Sequence, residues 1–412
     1  MNFFSARLPA DLTPNRLARA VSAVREAGLP ILDLTLSNPT QAALAYPPDL
    51  IEPLADLRAL SYEPSAFGAP AAREAVAREY ARQGVAVSPD RIALTASTSE
   101  AYSLLFKLLS DQGDEVLVPR PSYPLFDHLT QMDLLVARHY DLTCDGPWSI
   151  DLAGVERATG PRTRALLIVS PNNPTGSILA EAELDRLASW CAARNIAIIC
   201  DEVFADYDLE SGAGDRAARA LRRDDVLSFS LGGLSKMVGL PQVKLGWIAA
   251  AGPAPLVKAA LERLELICDT YLSVATPVQL AAERLLERGS VVRAQIQTRV
   301  AANYRWLRAA AAAGSCTVLK SEAGWYAVVQ VPRVAPEEEI VLDLLEQDGV
   351  LAHPGYFYDF DGEAFLVLSL LVPETAFQTG AGRVLRRFDR DAAAGRPPRA
   401  SGEAPTAGEG HP

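Results

Sequence analysis

An asparagine, an aspartate and a lysine follow one another along the chain at intervals that could bring their side chains together. Asn173 lies in the segment Ser170–Gly176, Asp201 ends an apolar run, and Lys236 follows Ser235. Intervals of 28 and 35 residues separate the three, and each is long enough for one strand-helix-strand unit. A lysine amine can bond to a carbonyl carbon, a carboxylate can stabilise a nearby cation, and an amide can donate a hydrogen bond. These three residues are therefore candidates for binding and chemistry at one site.

Two further segments offer groups for an anion and for an aromatic ring. Ser97, Thr98 and Ser99 open a predicted helix directly after a strand. Free amides at a helix N-terminus, with hydroxyls beside them, can bind a phosphate. Tyr123, in the segment Pro119–Pro124, could place its ring against a flat ligand. Each has an ordinary alternative, because serine often caps a helix and a loop tyrosine often lies at the surface.

Three motifs in order, Ser170–Gly176, Asp201-Glu202-Val203-Phe204 and Gly233–Lys236, resemble the successive signatures of the class I/II pyridoxal-phosphate-dependent aminotransferases of fold type I. The resemblance runs from the N-terminal helix to about Phe388. Asn-Pro-Thr-Gly alone usually forms a tight turn, and a lone Ser-Lys is usually solvated. The order of the motifs, each at a strand end, carries the interpretation.

The resemblance implies a role for each residue around pyridoxal phosphate (PLP). Lys236 would hold the cofactor as a Schiff base and then act as the base at the substrate Cα. Asp201 would pair with the pyridine nitrogen, although a helix cap is the alternative. Asn173 would donate to the ring oxygen and Tyr123 would stack on the ring. The phosphate would be bound by Ser97, Thr98, Ser99 and Ser235.

A tyrosine near the N-terminus extends the resemblance to a second subunit. Tyr62 begins a Tyr-x(5)-Gly-x(4)-Arg pattern with Gly68 and Arg73. It is similar to the tyrosine that family members send across a dimer interface to the phosphate. This implies a homodimer with shared active sites.

Three positions depart from the family pattern. Phe204 replaces a tyrosine that would donate to the ring oxygen, and Lys244 replaces a phosphate-binding arginine. Lysine supplies the charge but not the two-pronged geometry of arginine. Val367 stands in Phe365–Ser369 where the family has the arginine for the substrate α-carboxylate. A buried carboxylate without a cationic partner is costly, so another group, with Asn38 as a candidate, would have to replace it.

We therefore predict an aminotransferase that moves an amino group between an amino acid and a 2-oxo acid. Trp325 and Tyr326 should line the substrate pocket. Because no arginine is identified for a second carboxylate, neutral or aromatic amino-acid donors should be favoured over dicarboxylic ones. A PLP lyase, decarboxylase or racemase, or an amine-specific transaminase, remains open because of Val367. Two other classes fit less well. A non-catalytic regulator of this fold would need a DNA-binding domain, and a Rossmann dehydrogenase would need an early Gly-x-Gly-x-x-Gly.

Alternating strands and helices must position these residues. They predict an α/β fold with a mainly parallel sheet and helices on both faces. Ligands bind such sheets beyond the carboxyl ends of the strands, where the polar clusters fall. Strands are expected at Arg91–Ala96, Glu115–Pro119, Ala165–Ser170, Ile196–Asp201, Val226–Ser230 and Gly246–Ala251. Helices are expected at Ser99–Ser110, Glu181–Arg194 and Pro255–Leu266.

A second, smaller α+β domain should accompany the domain that contains this sheet. It would comprise residues 1–49, with a helix capped by Thr13 and stopped at Gly28, and residues 291–390, with a helix over Val291–Ala313 and strands near Thr317, Trp325 and Phe365. The large PLP-binding domain would span residues 50–290, and residues 391–412 should form a disordered tail.

Composition restricts the partners and the location. The 412 residues carry a net charge of −12, which argues against a nucleic-acid surface or an anionic membrane. Five scattered cysteines and four histidines lack metal-ligand spacing, so no metal is expected. Without an N-terminal apolar run or a membrane-length segment, a soluble cytoplasmic protein with free thiols is predicted.

Overall fold

The computed structural model describes residues 3–9 and 11–393. The strands are β1 (Leu32–Asp33), β2 (Ile92–Thr95), β3 (Glu115–Arg120), β4 (Val136–Cys144), β5 (Trp148–Ile150), β6 (Thr163–Val169), β7 (Ala197–Asp201), β8 (Ser228–Gly233), β9 (Gly246–Ala251), β10 (Thr317–Val318), β11 (Tyr326–Gln330), β12 (Val350–Leu351), β13 (His353–Pro354) and β14 (Phe365–Ser369). The helices are α1 (Arg16–Glu26), α2 (Pro70–Arg82), α3 (Thr98–Leu109), α4 (Phe126–Met132), α5 (Leu152–Ala158), α6 (Glu181–Ala192), α7 (Ala213–Arg216), α8 (Leu234–Met237), α9 (Ala254–Tyr271), α10 (Thr276–Ala311), α11 (Glu337–Asp348) and α12 (Glu374–Ala393), joined in places by short 3-10 turns.

A large sheet with the order β2-β9-β8-β7-β6-β3-β4-β5 forms the centre. Its inner neighbours β8, β7, β6, β3 and β4 run parallel, and β9 and β5 pair antiparallel. Every residue of β7 and β8 is buried. Successive residues of β7 belong to different apolar cores, with Ile198 in one and Ile199 in the other. Both faces of the sheet are therefore covered, and the predicted α/β architecture is confirmed.

The parallel strands deliver their carboxyl ends to one edge. β3, β6, β7 and β8 share a direction, and β2 shares it too because two antiparallel pairings through β9 separate it from β8. The segments that follow these five strands carry most of the residues expected to bind the cofactor. The sequence placed the ends of these strands to within three residues, and it placed β9 at its observed ends.

Two smaller sheets lie outside this one. The antiparallel order β10-β11-β14-β13 forms the first, and the parallel pair β1-β12 forms the second. The N-terminal segment is joined to the C-terminal part by backbone hydrogen bonds, including Ser369 N to Leu34 O at 2.7 Å. A smaller antiparallel unit beside the large sheet is thus present, and the division at residues 49 and 290 remains our proposal.

Helix α10 differs most from the sequence prediction, because it begins at Thr276 instead of Val291. Gly289 lies inside the helix, where a Cβ would meet Val238 Cβ at 2.6 Å, so glycine is required by close packing.

Smaller differences occur at the termini. Asn15, not Thr13, caps α1 by accepting from Ala18 N at 2.8 Å, whereas Gly28 has the predicted left-handed conformation with φ +68°. Residues 391–393 of the predicted tail belong to α12, and the remainder of that tail, from residue 394, lies outside the described residues. The five cysteines are free thiols. None of the described helices combines the length and the apolar character that a membrane crossing requires.

Candidate active site

Lys236 lies on α8, directly after β8, at the carboxyl edge of the large sheet. Its position is fixed through the backbone, since the Tyr207 hydroxyl donates to Lys236 O at 2.5 Å. The Lys236 amine lies 5.4 Å from the centre of the Trp325 ring, within the range of a cation–π contact. Burial lowers the pKa of this amine, and the negative charge of Asp201 opposes the lowering. A desolvated lysine of this kind is closer to a neutral nucleophile than a surface lysine.

Asp201 is buried at the end of β7. The Tyr102 hydroxyl donates to its Oδ2 at 2.8 Å, and Val203 N donates to its Oδ1 at 3.1 Å. Burial raises the pKa of Asp201 to about 6, although the Tyr102 and Val203 hydrogen bonds and the charge of Lys236 lower it. The carboxyl group is therefore largely ionised at neutral pH, and a cation beside it would favour the ionised form further.

The asparagine pair at the end of β6 has unused hydrogen-bonding capacity. Asn172 and Asn173 are buried. Within the described residues, Asn173 Oδ1 and Asn172 Nδ2 have no hydrogen-bond partner. Buried amides are nearly always paired, so two such groups side by side indicate room for a polar ligand.

The turn after these asparagines brings the smaller sheet against the large one. Gly176 has φ +68°, and a Cβ there would lie 2.6 Å from Ala323 O, so only glycine allows the approach. Its carbonyl accepts from Glu322 N at 2.9 Å and from Ala323 N at 3.0 Å. These bonds set the position of Trp325 below Lys236.

Tyr123 follows β3 and is 41% exposed. Burial raises the pKa of its hydroxyl, and the charge of Asp201 contributes, which places the two residues within electrostatic reach. The centre of the Tyr123 ring lies 6.1 Å from the centre of the Phe126 ring in an edge-to-face contact. Much of the tyrosine surface stays open to a ligand.

The N-terminus of α3 leaves two amides available. Ser97 Oγ accepts from Glu100 N at 3.1 Å, so this serine is occupied as the helix cap. In the described chain, the N–H groups of Thr98 and Ser99 make no recorded hydrogen bond. A Cβ on Gly246 would lie 3.1 Å from Thr98 N, so the glycine keeps the space beside that amide open. The arrangement suits an anion.

The other residues predicted near the phosphate lie in open positions. Ser235 is half-buried, and Lys244 is exposed with φ +61°, an uncommon conformation for a side chain with a Cβ. Tyr62 is 68% exposed and lines a surface pocket with Tyr271 and Ser273. Its hydroxyl is therefore free to contact a second chain.

An aromatic cluster forms the substrate side. Phe204 is buried, with its ring 5.4 Å from Trp325 and 6.2 Å from Tyr326. Phe204 therefore contributes apolar packing at a position where a tyrosine would contribute a hydrogen-bond donor. Tyr207 does not replace that donor, because its hydroxyl binds the Lys236 carbonyl.

The two remaining substrate candidates provide no cation. Val367 is buried on β14, opposite Val328 on β11. Asn38 Oδ1 accepts from Thr40 N at 3.1 Å and from Thr40 Oγ1 at 2.8 Å, so only its Nδ2 could donate to a carboxylate. Neither residue supplies a positive charge.

Sequence reasoning missed several residues that neighbour the predicted site residues. Tyr102 lies mid-helix on α3 and reads as a core residue, and nothing in its local sequence indicates the bond to Asp201. His353 and Tyr358, which hydrogen-bond each other at 3.0 Å, were not singled out either. The available signal was a rare histidine in a chain that holds only four.

The residues present fit PLP. An amine with a lowered pKa, a buried carboxylate, a buried asparagine whose Nδ2 can donate, a half-exposed tyrosine ring and two free helix amides match the groups of that cofactor. Among the described residues, no cluster of histidine, cysteine, aspartate or glutamate is arranged to hold a metal ion.

The sequence matches the family described as aminotransferase class I and II over residues 32–375. The chain therefore belongs to this family.

Curated relatives carry several names. A glutamate-pyruvate aminotransferase of Haemophilus influenzae is 28% identical over 64% of this chain and 65% of its own length. Nicotianamine aminotransferase B of Hordeum vulgare is 32% identical over 54% and 41%. An S-alkyl-thiohydroximate lyase of Arabidopsis thaliana is 31% identical over 55% and 49%. The chain thus spans less than two thirds of the length of these relatives.

Solved structures agree in fold along almost the whole chain. An alanine aminotransferase from Pyrococcus furiosus superposes with a TM-score of 0.83 at 22% identity, covering 94% of this chain and all of that one. A tyrosine aminotransferase from Leishmania infantum gives 0.76 at 20% identity, covering 92% and 98%. At these identities the likeness establishes the fold.

Proposed function

We propose that this chain is a PLP-dependent aminotransferase that moves an amino group from an amino acid to a 2-oxo acid. The desolvated amine of Lys236 beside the buried carboxylate of Asp201 is the observation that carries the proposal. PLP, when bound, supplies an electron sink for the bond that breaks at the substrate Cα. Membership of the family and the names of its relatives support the same activity.

Lys236 and Asp201 would divide the work. Lys236 would hold the cofactor through its Nζ and, once displaced by the substrate amine, remove the proton from the substrate Cα. Asp201 would keep the pyridine nitrogen protonated, with Tyr102 orienting the carboxylate through its 2.8 Å bond. The Trp325 ring restricts where the lysine amine can move.

Other residues would orient the cofactor. Asn173 would donate to the ring oxygen through its Nδ2, and Tyr123 would cover one ring face. The amides of Thr98 and Ser99, the hydroxyl of Ser235 and the charge of Lys244 would bind the phosphate.

The aromatic cluster supports a preference for neutral or aromatic amino acids. Phe204, Trp325 and Tyr326 offer apolar contacts and no second cation for a side-chain carboxylate. We expect kcat/KM for phenylalanine and alanine to exceed that for aspartate and glutamate. A wide preference for aspartate in that comparison would show that a cation reaches the pocket and that the assignment is wrong.

A PLP lyase is the second candidate. Val367 in place of the carboxylate arginine favours it, as does the resemblance to the thiohydroximate lyase. The two activities differ in their need for an acceptor. Product formation from an amino compound alone, continuing over many turnovers without a 2-oxo acid, would identify a lyase. A single turnover that resumes when a 2-oxo acid is added would identify the transferase.

We also propose a homodimer in which Tyr62 serves the site of the partner subunit. Its exposed ring supports this. Mixing Lys236→Ala with Tyr62→Ala chains tests it, because a mixed dimer then contains one site with both intact residues. Activity above that of either parent is expected, and no gain on mixing would mean that Tyr62 acts on its own chain or not at all.

A further inference from the structure

A hydrogen-bonded pair of side chains, His353 and Tyr358, stands beside Val367. His353 lies directly opposite Val367 in the ladder between β13 and β14, so both side chains point to the same face of the sheet. His353 Nδ1 and Tyr358 Oη are 3.0 Å apart. The polar pair therefore adjoins the apolar position that lacks the arginine.

The pair reaches toward the residues around Lys236. Tyr358 O accepts from Ser122 N at 3.0 Å, which joins its short 3-10 helix to the segment that carries Tyr123. Burial raises the pKa of Tyr358, and Tyr326 and Tyr123 add to the rise. Tyr123 is in turn within electrostatic reach of Asp201. Tyr358 thus lies between the small sheet and the proposed ring site.

One donor of the pair is unused. Burial lowers the pKa of His353 to about 4, opposed by Asp33, so the imidazole is neutral at physiological pH and carries one N–H. The histidine and the tyrosine together hold two polar hydrogens, and their mutual bond uses one. The other resides on the Tyr358 hydroxyl or on His353 Nε2, depending on the tautomer, and no partner for it is recorded among the described residues.

Other polar groups on this face are occupied. Ser369 Oγ donates to Leu36 O at 2.5 Å, and the Tyr326 hydroxyl hydrogen-bonds Ser37. Within the described chain, no cationic side chain perturbs the pKa of His353, Tyr358 or Tyr326. The free donor of the pair is therefore the polar contact that this wall offers to a substrate.

We propose that His353 Nδ1 donates to Tyr358 Oη and that the Tyr358 hydroxyl binds the α-carboxylate of the amino-acid substrate as a neutral hydrogen-bond donor, in the place of the missing guanidinium. This specificity-determining role rests on the proposed aminotransferase function. Neutral donors hold a carboxylate less tightly than a guanidinium does, so discrimination against an uncharged group at Cα is weak.

The test compares L-phenylalanine with 2-phenylethylamine, which is the same molecule without the carboxylate. Tyr358→Phe removes only the hydroxyl. In the PLP-loaded full chain, we expect kcat/KM for phenylalanine to fall about fivefold, mainly through KM, as loss of one neutral hydrogen bond implies. The amine should stay within about twofold of wild type on the same reasoning. His353→Gln keeps a donor and should fall less.

Tyr356→Phe is the matched control, since Tyr356 lies on the same short helix with its ring partly exposed. It should leave both substrates unchanged. Equal losses for both substrates in Tyr358→Phe, or no loss for either, would overturn the proposal.

A binding measurement separates this inference from the function on which it rests. 3-Phenylpropanoate carries the ring and the carboxylate but no amine, so it cannot react. Its dissociation constant, measured by calorimetric titration, should rise about fivefold in Tyr358→Phe and stay unchanged in Tyr356→Phe. If the wild type turns over neither phenylalanine nor 2-phenylethylamine while this binding pattern holds, the aminotransferase function is wrong and the carboxylate-binding role of the pair is supported. An unchanged dissociation constant in Tyr358→Phe overturns that role.

Discussion

The carboxyl edge of the large sheet and the inner face of the small sheet supply the two halves of the proposed site, and they are built differently. At the edge, Asn173, Asp201 and Lys236 each follow their own parallel strand. On the small sheet, Val367 and His353 meet across an antiparallel ladder, and Tyr358 joins them from a turn. Residues after parallel strands converge by topology, whereas cross-strand neighbours depend on register. The residues for cofactor chemistry can therefore be predicted from sequence motifs, whereas the residues for substrate recognition cannot.

The largest effect is expected from removing the carboxylate of Asp201 at the edge of the large sheet. Asp201→Ala should lower the rate of amino transfer by several orders of magnitude, because the pyridine nitrogen would lose its anionic partner. Asp201→Glu should keep part of the activity. Steady-state rates at saturating PLP give the comparison. A rate for Asp201→Ala near that of wild type would reduce this residue to a structural cap.

A weaker effect is expected at the phosphate end. Lys244→Ala should release PLP faster than wild type during dialysis, most visibly at low salt, because high salt screens the exposed ion pair and weakens retention in the wild type as well. Lys258→Ala is the control, since that lysine lies on α9, well exposed. Identical retention in the two variants would mean that the amides of Thr98 and Ser99 suffice.

The smallest effect concerns Tyr102 in the cofactor-free protein. Its hydrogen bond lowers the pKa of Asp201, so Tyr102→Phe should raise that pKa above about 6. A carboxyl group with a raised pKa in the folded state stabilises the fold below its unfolded pKa, and that contribution is lost as the pH rises through the folded value. Urea unfolding from pH 4 to 8 should show the loss extending to higher pH in the variant. Superimposable pH profiles would contradict the assigned bond.

The same contrast explains what the sequence could predict. Strands β6 to β8 and their polar ends were placed because buried parallel strands form unbroken apolar runs. The start of α10 was misplaced because the packing of Gly289 against Val238 is a tertiary contact. Tyr102 and the pair His353–Tyr358 were missed for a related reason. Asp201 lies 99 residues from Tyr102, and the position of the pair opposite Val367 depends on the register between β13 and β14.

The division of the chain into domains and the location of the protein remain predictions, as does the cofactor role of each residue. The structure supports the roles of Lys236 and Asp201 most directly, because both groups are buried and the charge of each acts on the pKa of the other.

Trapping the cofactor tests the central claim most directly. The sequence holds five lysines, and Lys236 differs from the rest by its place beside Asp201 and the Trp325 ring. After loading with PLP and reduction with borohydride, peptide mass spectrometry should find the adduct on Lys236. Lys236→Ala should show neither adduct nor amino transfer. An adduct on another lysine, or no bound chromophore after PLP is added to the wild-type chain, would contradict the account.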